Sequence, residues 1–229
     1  MLGMKAWFEI RWRFLFLLTL TVAWLAAFSI GNATSPVGAR KIFGAIEGMW
    51  LLSSILLAGS GIRTQAPFRP TKGLHGSTGF TLSLPVSRFR LLAVRVGVGL
   101  AAVGGIILIS STCAWILFPL VRTSFMPVDF LRWVLTASCC AVAVHGVSVL
   151  ASTVLDDQWQ VWGTVITIGV LKWLTIRFPP PPAFDVFSVF GERSPLLTGT
   201  LPWPAIVVTL GVAGILFLIA TKTVQAIEY

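Results

Sequence analysis

Apolar residues run along this chain in long stretches, and the charged residues gather between them. Six stretches approach the length of a bilayer-crossing helix, roughly 20 residues. They are Phe14–Ile30, Ile42–Ile62, Leu91–Leu120, Leu131–Leu155, Trp159–Ile176 and Pro204–Ala220. The pattern predicts an all-α polytopic membrane protein with six transmembrane helices in a single transmembrane domain, residues 1–229. Arg95, near the start of the third stretch, is expected at headgroup level. Lys172 interrupts the fifth, and Pro179–Pro182 closes it.

Ahead of the first stretch, Lys5, Glu9 and Arg13 fall at i, i+4 and i+8 and share one helical face, while Met4, Trp7, Phe8 and Trp12 supply apolar bulk. Residues 1–13 read either as an amphipathic helix in the cytoplasmic interface or as a basic anchor that orients the first span. The first apolar run exceeds a signal-peptide core and further runs follow it, so no secretory signal is expected.

Composition makes the solvent explicit. The chain is 56% hydrophobic and only 11% charged, with a mean hydropathy of +0.89. A soluble domain carries roughly 25% charged residues. The net charge of +9 comes from 17 Lys and Arg against 8 Asp and Glu. Because the cations lie between apolar runs, they read as topology signals rather than as a nucleic-acid footprint. With both termini cytoplasmic, Lys5, Arg11, Arg13, Arg63, Arg69, Lys72, Arg88, Arg90, Arg95 and Lys222 lie inside. Arg40, Lys41, Arg122, Arg132, Lys172, Arg177 and Arg193 lie outside. The decisive loop is 63–90, which is basic and free of acidic residues. Residues 177–203 form an external segment whose Phe184, Val186, Phe187, Val189 and Phe190 suit short helices against the outer leaflet. Cys113, Cys139 and Cys140 sit in apolar runs without metal-ligand spacing, so neither a disulfide framework nor a metal site is expected.

Few residues carry candidate chemistry. In the second stretch Glu47 is followed on nearly the same face by Trp50 and Ser54. A carboxylate at this depth is costly. It either lines a pathway or sits at the outer interface, snorkelling or pairing with Arg40 or Lys41. In the fourth stretch Ser138, Ala141, His145, Ser148 and Ser152 recur at spacings of three and four, a small polar face suited to close helix packing. There His145 reads as an interhelical hydrogen-bonding group rather than a proton relay. Gly97, Gly99, Gly104 and Gly105 likewise read as packing sites. No catalytic constellation is evident: a Gly-x-Ser-x-Gly pattern is absent, and Asp156 and Asp157 are adjacent. The chain is not expected to be an enzyme by itself, and it has no phosphate-binding loop.

The most informative segment is Gly73–Leu92. Within it, Thr81-Leu82-Ser83-Leu84-Pro85-Val86-Ser87-Arg88, followed by Leu91 and Leu92 opening the third span, resembles the cytoplasmic signature of type-2 permeases of ATP-binding-cassette exporters. The layout resembles that family too: Glu9 and Arg11 in an interfacial helix, six spans, a cytoplasmic loop after the second and a large external segment before the sixth. The family often has acidic residues before the motif, and residues 63–90 contain none. The resemblance implies a coupling helix in 63–90, stopped by Pro85, that receives work from separate cytoplasmic ATPase subunits. It implies ATP and Mg on those subunits, no cofactor on this chain, a second permease subunit, and a bacterial plasma membrane. The transported substrate is unidentified, and an apolar pathway suits an amphipathic one. In the family the second span lines the translocation cavity, which makes Glu47 and Trp50 pathway candidates. A proton-coupled carrier using Glu47 and His145, or a non-catalytic membrane scaffold, are the competing readings.

Overall fold

The computed structural model describes residues 2–32, 36–58, 87–155, 157–181, 187 and 194–226. Every regular element among them is helical: α1 (Leu2–Asn32), α2 (Pro36–Leu56), α3 (Arg88–Leu117), α4 (Pro119–Ser124), α5 (Pro127–Val154), α6 (Asp157–Arg177), α7 (Pro195–Thr198) and α8 (Trp203–Ala226). Four helical segments are long and apolar enough to cross a membrane: Leu2–Ala27, Phe89–Leu117, Pro127–Val154 and Trp203–Ala226. They fit an integral membrane protein. At 21 residues each, α2 and α6 are also about 31 Å long. α2 is about as apolar as α1 despite Arg40 and Lys41, whereas α6 is less so because it carries Asp157, Gln158, Gln160, Lys172 and Arg177.

Residues 1–13 and 14–30 are expected as an interfacial helix and a span, but from Leu2 onward they form one unbroken helix, α1. Proline sets the other breaks. Pro119 forces Phe118 into an extended conformation (φ −109°, ψ 94°), so α3 stops at Leu117 rather than Leu120. Pro127 pre-sets the first turn of α5, which starts four residues before the expected Leu131. The second helix starts at Pro36 and ends at Leu56, not at Ile62. Residues 63–86 of the expected coupling segment, Thr81 to Val86 among them, lie outside the described residues.

The helices pack around α5, which touches α8 most extensively and also meets α2, α6, α3 and α7, while α1 lies along α3. The main core joins Leu17 and Leu25 of α1, Ile46 and Trp50 of α2, Ile106 and Ala114 of α3, and Trp133 and Ala137 of α5. A smaller cluster of Ala58, Leu92, Val149, Ala220 and Val224 closes the other end. The opposite faces of α1, α6 and α8 are apolar and exposed. Trp159 and Trp162 near one end of α6, and Trp173 and Phe178 near the other, are among the exposed side chains. Where α5 begins, Arg132 pairs with Asp129 at 2.8 Å and donates to the carbonyl of Gly199. Gly199 closes α7 in the left-handed region (φ +62°), where only glycine sits without strain.

Of the glycines in α3, Gly99 is where the packing is closest. A Cβ there would stand 2.7 Å from the Leu57 carbonyl oxygen and 2.8 Å from His145 Cε1, whereas one at Gly97 or Gly104 would meet nothing within 4 Å. Gly99→Ala should therefore cost about 1–3 kcal/mol, seen as a lower apparent melting temperature in neutral detergent. Gly97→Ala and Gly104→Ala should be neutral or slightly stabilising. Equal effects at all three positions would contradict this packing.

Candidate functional site

The last four carbonyls of any α-helix lack intrahelical donors, and α2 ends against other helices rather than in water. Each of its four terminal carbonyls nonetheless has a partner. Leu57 N–H donates to Ser53 O at 2.9 Å. His145 Nδ1 lies 3.0 Å from Ser54 O, and Ser148 Oγ donates to Ile55 O at 3.0 Å. Arg13 Nη1 reaches Leu56 O at 3.5 Å. A carbonyl can only accept, so Nδ1 must carry the imidazole proton. Gln160 of α6 donates to Ser148 Oγ at 3.0 Å, which draws that helix into the same network. His145 Nε2 is left buried without a partner, against the backbone of Gly99.

One to two turns back along α2, polar atoms are satisfied within an aromatic cluster. Trp133 Nε1–H donates to Glu47 Oε1 at 2.6 Å, and Trp50 Nε1–H donates to Ser110 Oγ at 2.7 Å. The Trp50 and Trp133 rings lie 4.8 Å apart at a 38° tilt, and Phe130 and Trp115 extend the stack. Glu47 itself is 6% exposed.

On the opposite side of Glu47 lies a cavity of about 830 Å³ between α2, α5, α6 and α8, also bounded by Phe178, Pro180 and Phe187. Its size suits a drug- or lipid-sized molecule. The wall is mostly Leu, Val, Ile and Ala, with Glu47, Lys172, Thr175, Thr209 and Cys140 as the groups able to hydrogen bond. No group of three His, Cys, Asp or Glu side chains that could hold a metal occurs among the described residues.

The segment outside the described residues, 59–86, is held at both flanks. The capped end of α2 lies before it. After it, Ser87 Oγ caps α3 by accepting from the Arg90 N–H at 3.3 Å. Two turns further on, Arg95 pairs with Glu9 of α1 at 2.6 Å.

The residues singled out from sequence therefore separate. Glu47 lines the cavity, whereas Trp50 and Ser54 face the helix interfaces, Ser54 Oγ donating to its own helix at Trp50 O (2.9 Å). His145 and Ser148 reach across to α2, whereas Ser138 donates within α5 to Val134 O at 2.7 Å. Of the motif, Ser87 caps α3 and Arg88 is its first residue. Trp133 and Lys172 were not anticipated as site residues. The lysine's interruption of an apolar run was the available signal. Comparison of the chain with protein families, curated proteins and solved structures returned no match.

The Glu47–Trp133 bond can be isolated in a double-mutant cycle. Trp133→Phe leaves the buried carboxylate without its protein donor and should destabilise by about 1–3 kcal/mol. The same change made on Glu47→Leu should cost less, giving a positive coupling by thermal unfolding. Additive effects would mean that the two side chains do not interact.

Proposed function

We propose that this chain is the membrane permease subunit of an ATP-driven ABC exporter, with residues 63–90 as the segment that engages a separate cytoplasmic ATPase. The observation that carries the reading is the Thr81–Arg88 motif, which in this family joins the ATPase to the third span. The structure around it supports the reading. A lever needs fixed fulcra, and the chain on either side of 59–86 is pinned, by the His145 and Ser148 caps before it and by Ser87 and the Glu9–Arg95 pair after it. The complex would hold two permease chains, identical or paired with a second type, in a bacterial plasma membrane. Six spans would place both termini in the cytoplasm. ATP and Mg would bind on the ATPase subunits, and the substrate would use the cavity beside Glu47. A proton carrier built on Glu47 and His145 has less support: His145 is fully buried, spends Nδ1 on a backbone carbonyl and does not line the cavity.

Topology is tested by labelling single introduced cysteines in intact cells. Ser188→Cys should react with a membrane-impermeant thiol reagent and Ser77→Cys should not; the reverse pattern would invert the orientation. Coupling is tested by co-purification. Leu82→Asp or Leu84→Asp should reduce recovered ATPase about tenfold or more and abolish transport while membrane insertion stays normal. Arg88→Ala should be milder. Wild-type association and transport in both leucine variants would remove the main support for the exporter reading.

A further inference from the structure

The cavity is lined by two ionisable side chains, one acidic and one basic, that are not paired with each other. Glu47 on α2 and Lys172 on α6 both line it, and no ion pair within 4.0 Å joins them. Glu47 is nearly fully buried, and Trp133 is its hydrogen-bond donor among the described side chains. A carboxylate has about four acceptor sites, so one donor leaves it short, and in an apolar cavity that deficit is costly. A cationic group supplied by a ligand would remedy it. Lys172 is exposed and its ammonium can extend to meet an anion. Between the two, the wall offers apolar side chains such as Leu51, Val144 and Val208.

We propose that the cavity between α2, α5, α6 and α8 binds a zwitterionic amphiphile, with its cationic group against Glu47, its anionic group against Lys172 and its apolar body along the rest of the wall. This deepens the exporter reading, on which it rests for its role in transport, by naming the class of molecule the site takes. Lone cations and lone anions satisfy one wall charge and leave the other uncompensated, so the complementarity favours a molecule bearing both.

The test uses purified full-length protein in an uncharged maltoside detergent, without ATPase. Three photoreactive probes share one diazirine-bearing alkyl tail and differ in headgroup: a lysophosphatidylethanolamine, an alkylamine and an alkyl phosphate. Cross-linked peptides are mapped by mass spectrometry. The zwitterion should label the cavity wall most strongly, and Glu47→Gln and Lys172→Gln should each weaken its binding about tenfold. The amine should respond only to the first substitution and the phosphate only to the second. Equal labelling by all three, stronger labelling by either singly charged probe, or zwitterion labelling unchanged in both variants would overturn the proposal. If Glu47→Gln does not fold, the Lys172→Gln arm decides, because that side chain is exposed. ATPase co-purification is scored separately. Selective zwitterion labelling without an associated ATPase would overturn the exporter reading and leave the site, and the converse would overturn the site alone.

Discussion

The carbonyl end of α2 is the constraint around which the bundle is arranged. In a protein solvated by lipid, a helix terminus that stops against its neighbours cannot borrow water, and each orphaned carbonyl costs several kcal/mol. His145 and Ser148 meet this demand from α5, three residues apart and so on one face, each reaching a successive carbonyl. Much else follows. The imidazole ring needs space, which Gly99 of α3 provides by having no Cβ. Gln160 fixes Ser148 and with it the start of α6. Arg13 reaches the last carbonyl from α1. Helices α1, α2, α3, α5 and α6 thus converge on one helix end, immediately before the segment that resembles an ATPase-coupling loop.

Two levels of α2 do different work, its C-terminal turn and the stretch just before it. At one, polar side chains are spent on backbone and fix geometry. At the other, Trp50 and Trp133 form a rigid aromatic wall whose indole N–H groups are also spent, on Ser110 and Glu47. What remains unspent faces the cavity: part of the Glu47 carboxylate and the Lys172 ammonium. A binding surface in an apolar protein is expected where polar groups are placed but not consumed by the fold, and this cavity meets that description.

The helices themselves were legible because lipid-facing and core-facing sides are both apolar, so runs rather than periodicities mark them. Their ends were less so. Pro119 and Pro127 stand in the sequence as plain stop and start signals, yet the expected third span ran past Pro119 to Leu120, and the expected fourth began only at Leu131 because Asp129 interrupts the apolar run after Pro127. The break between an interfacial helix and the first span was inferred from a change in polarity between Arg13 and Phe14, but polarity does not interrupt a backbone, and α1 runs through it. The spacing of Ser138, His145 and Ser148 was visible as a polar face. Which of these would cross to α2 was not, because the acceptors are carbonyls that carry no sequence identity. Trp133 was hidden for a related reason: a tryptophan in an apolar run looks like bulk until a carboxylate is placed beside it.

The dependence of the bundle on the α2 terminus is most directly tested at the His145 ring. The chain has 2 histidines, His75 and His145. Nitrogen-15 NMR of histidine-labelled protein, with His75→Gln to leave a single ring, reports which nitrogen bears the proton. The account predicts a neutral imidazole protonated at Nδ1, hydrogen-bonded to a carbonyl, with Nε2 unprotonated. A ring protonated at Nε2 alone would contradict it, because Ser54 O would then lose its donor from α5.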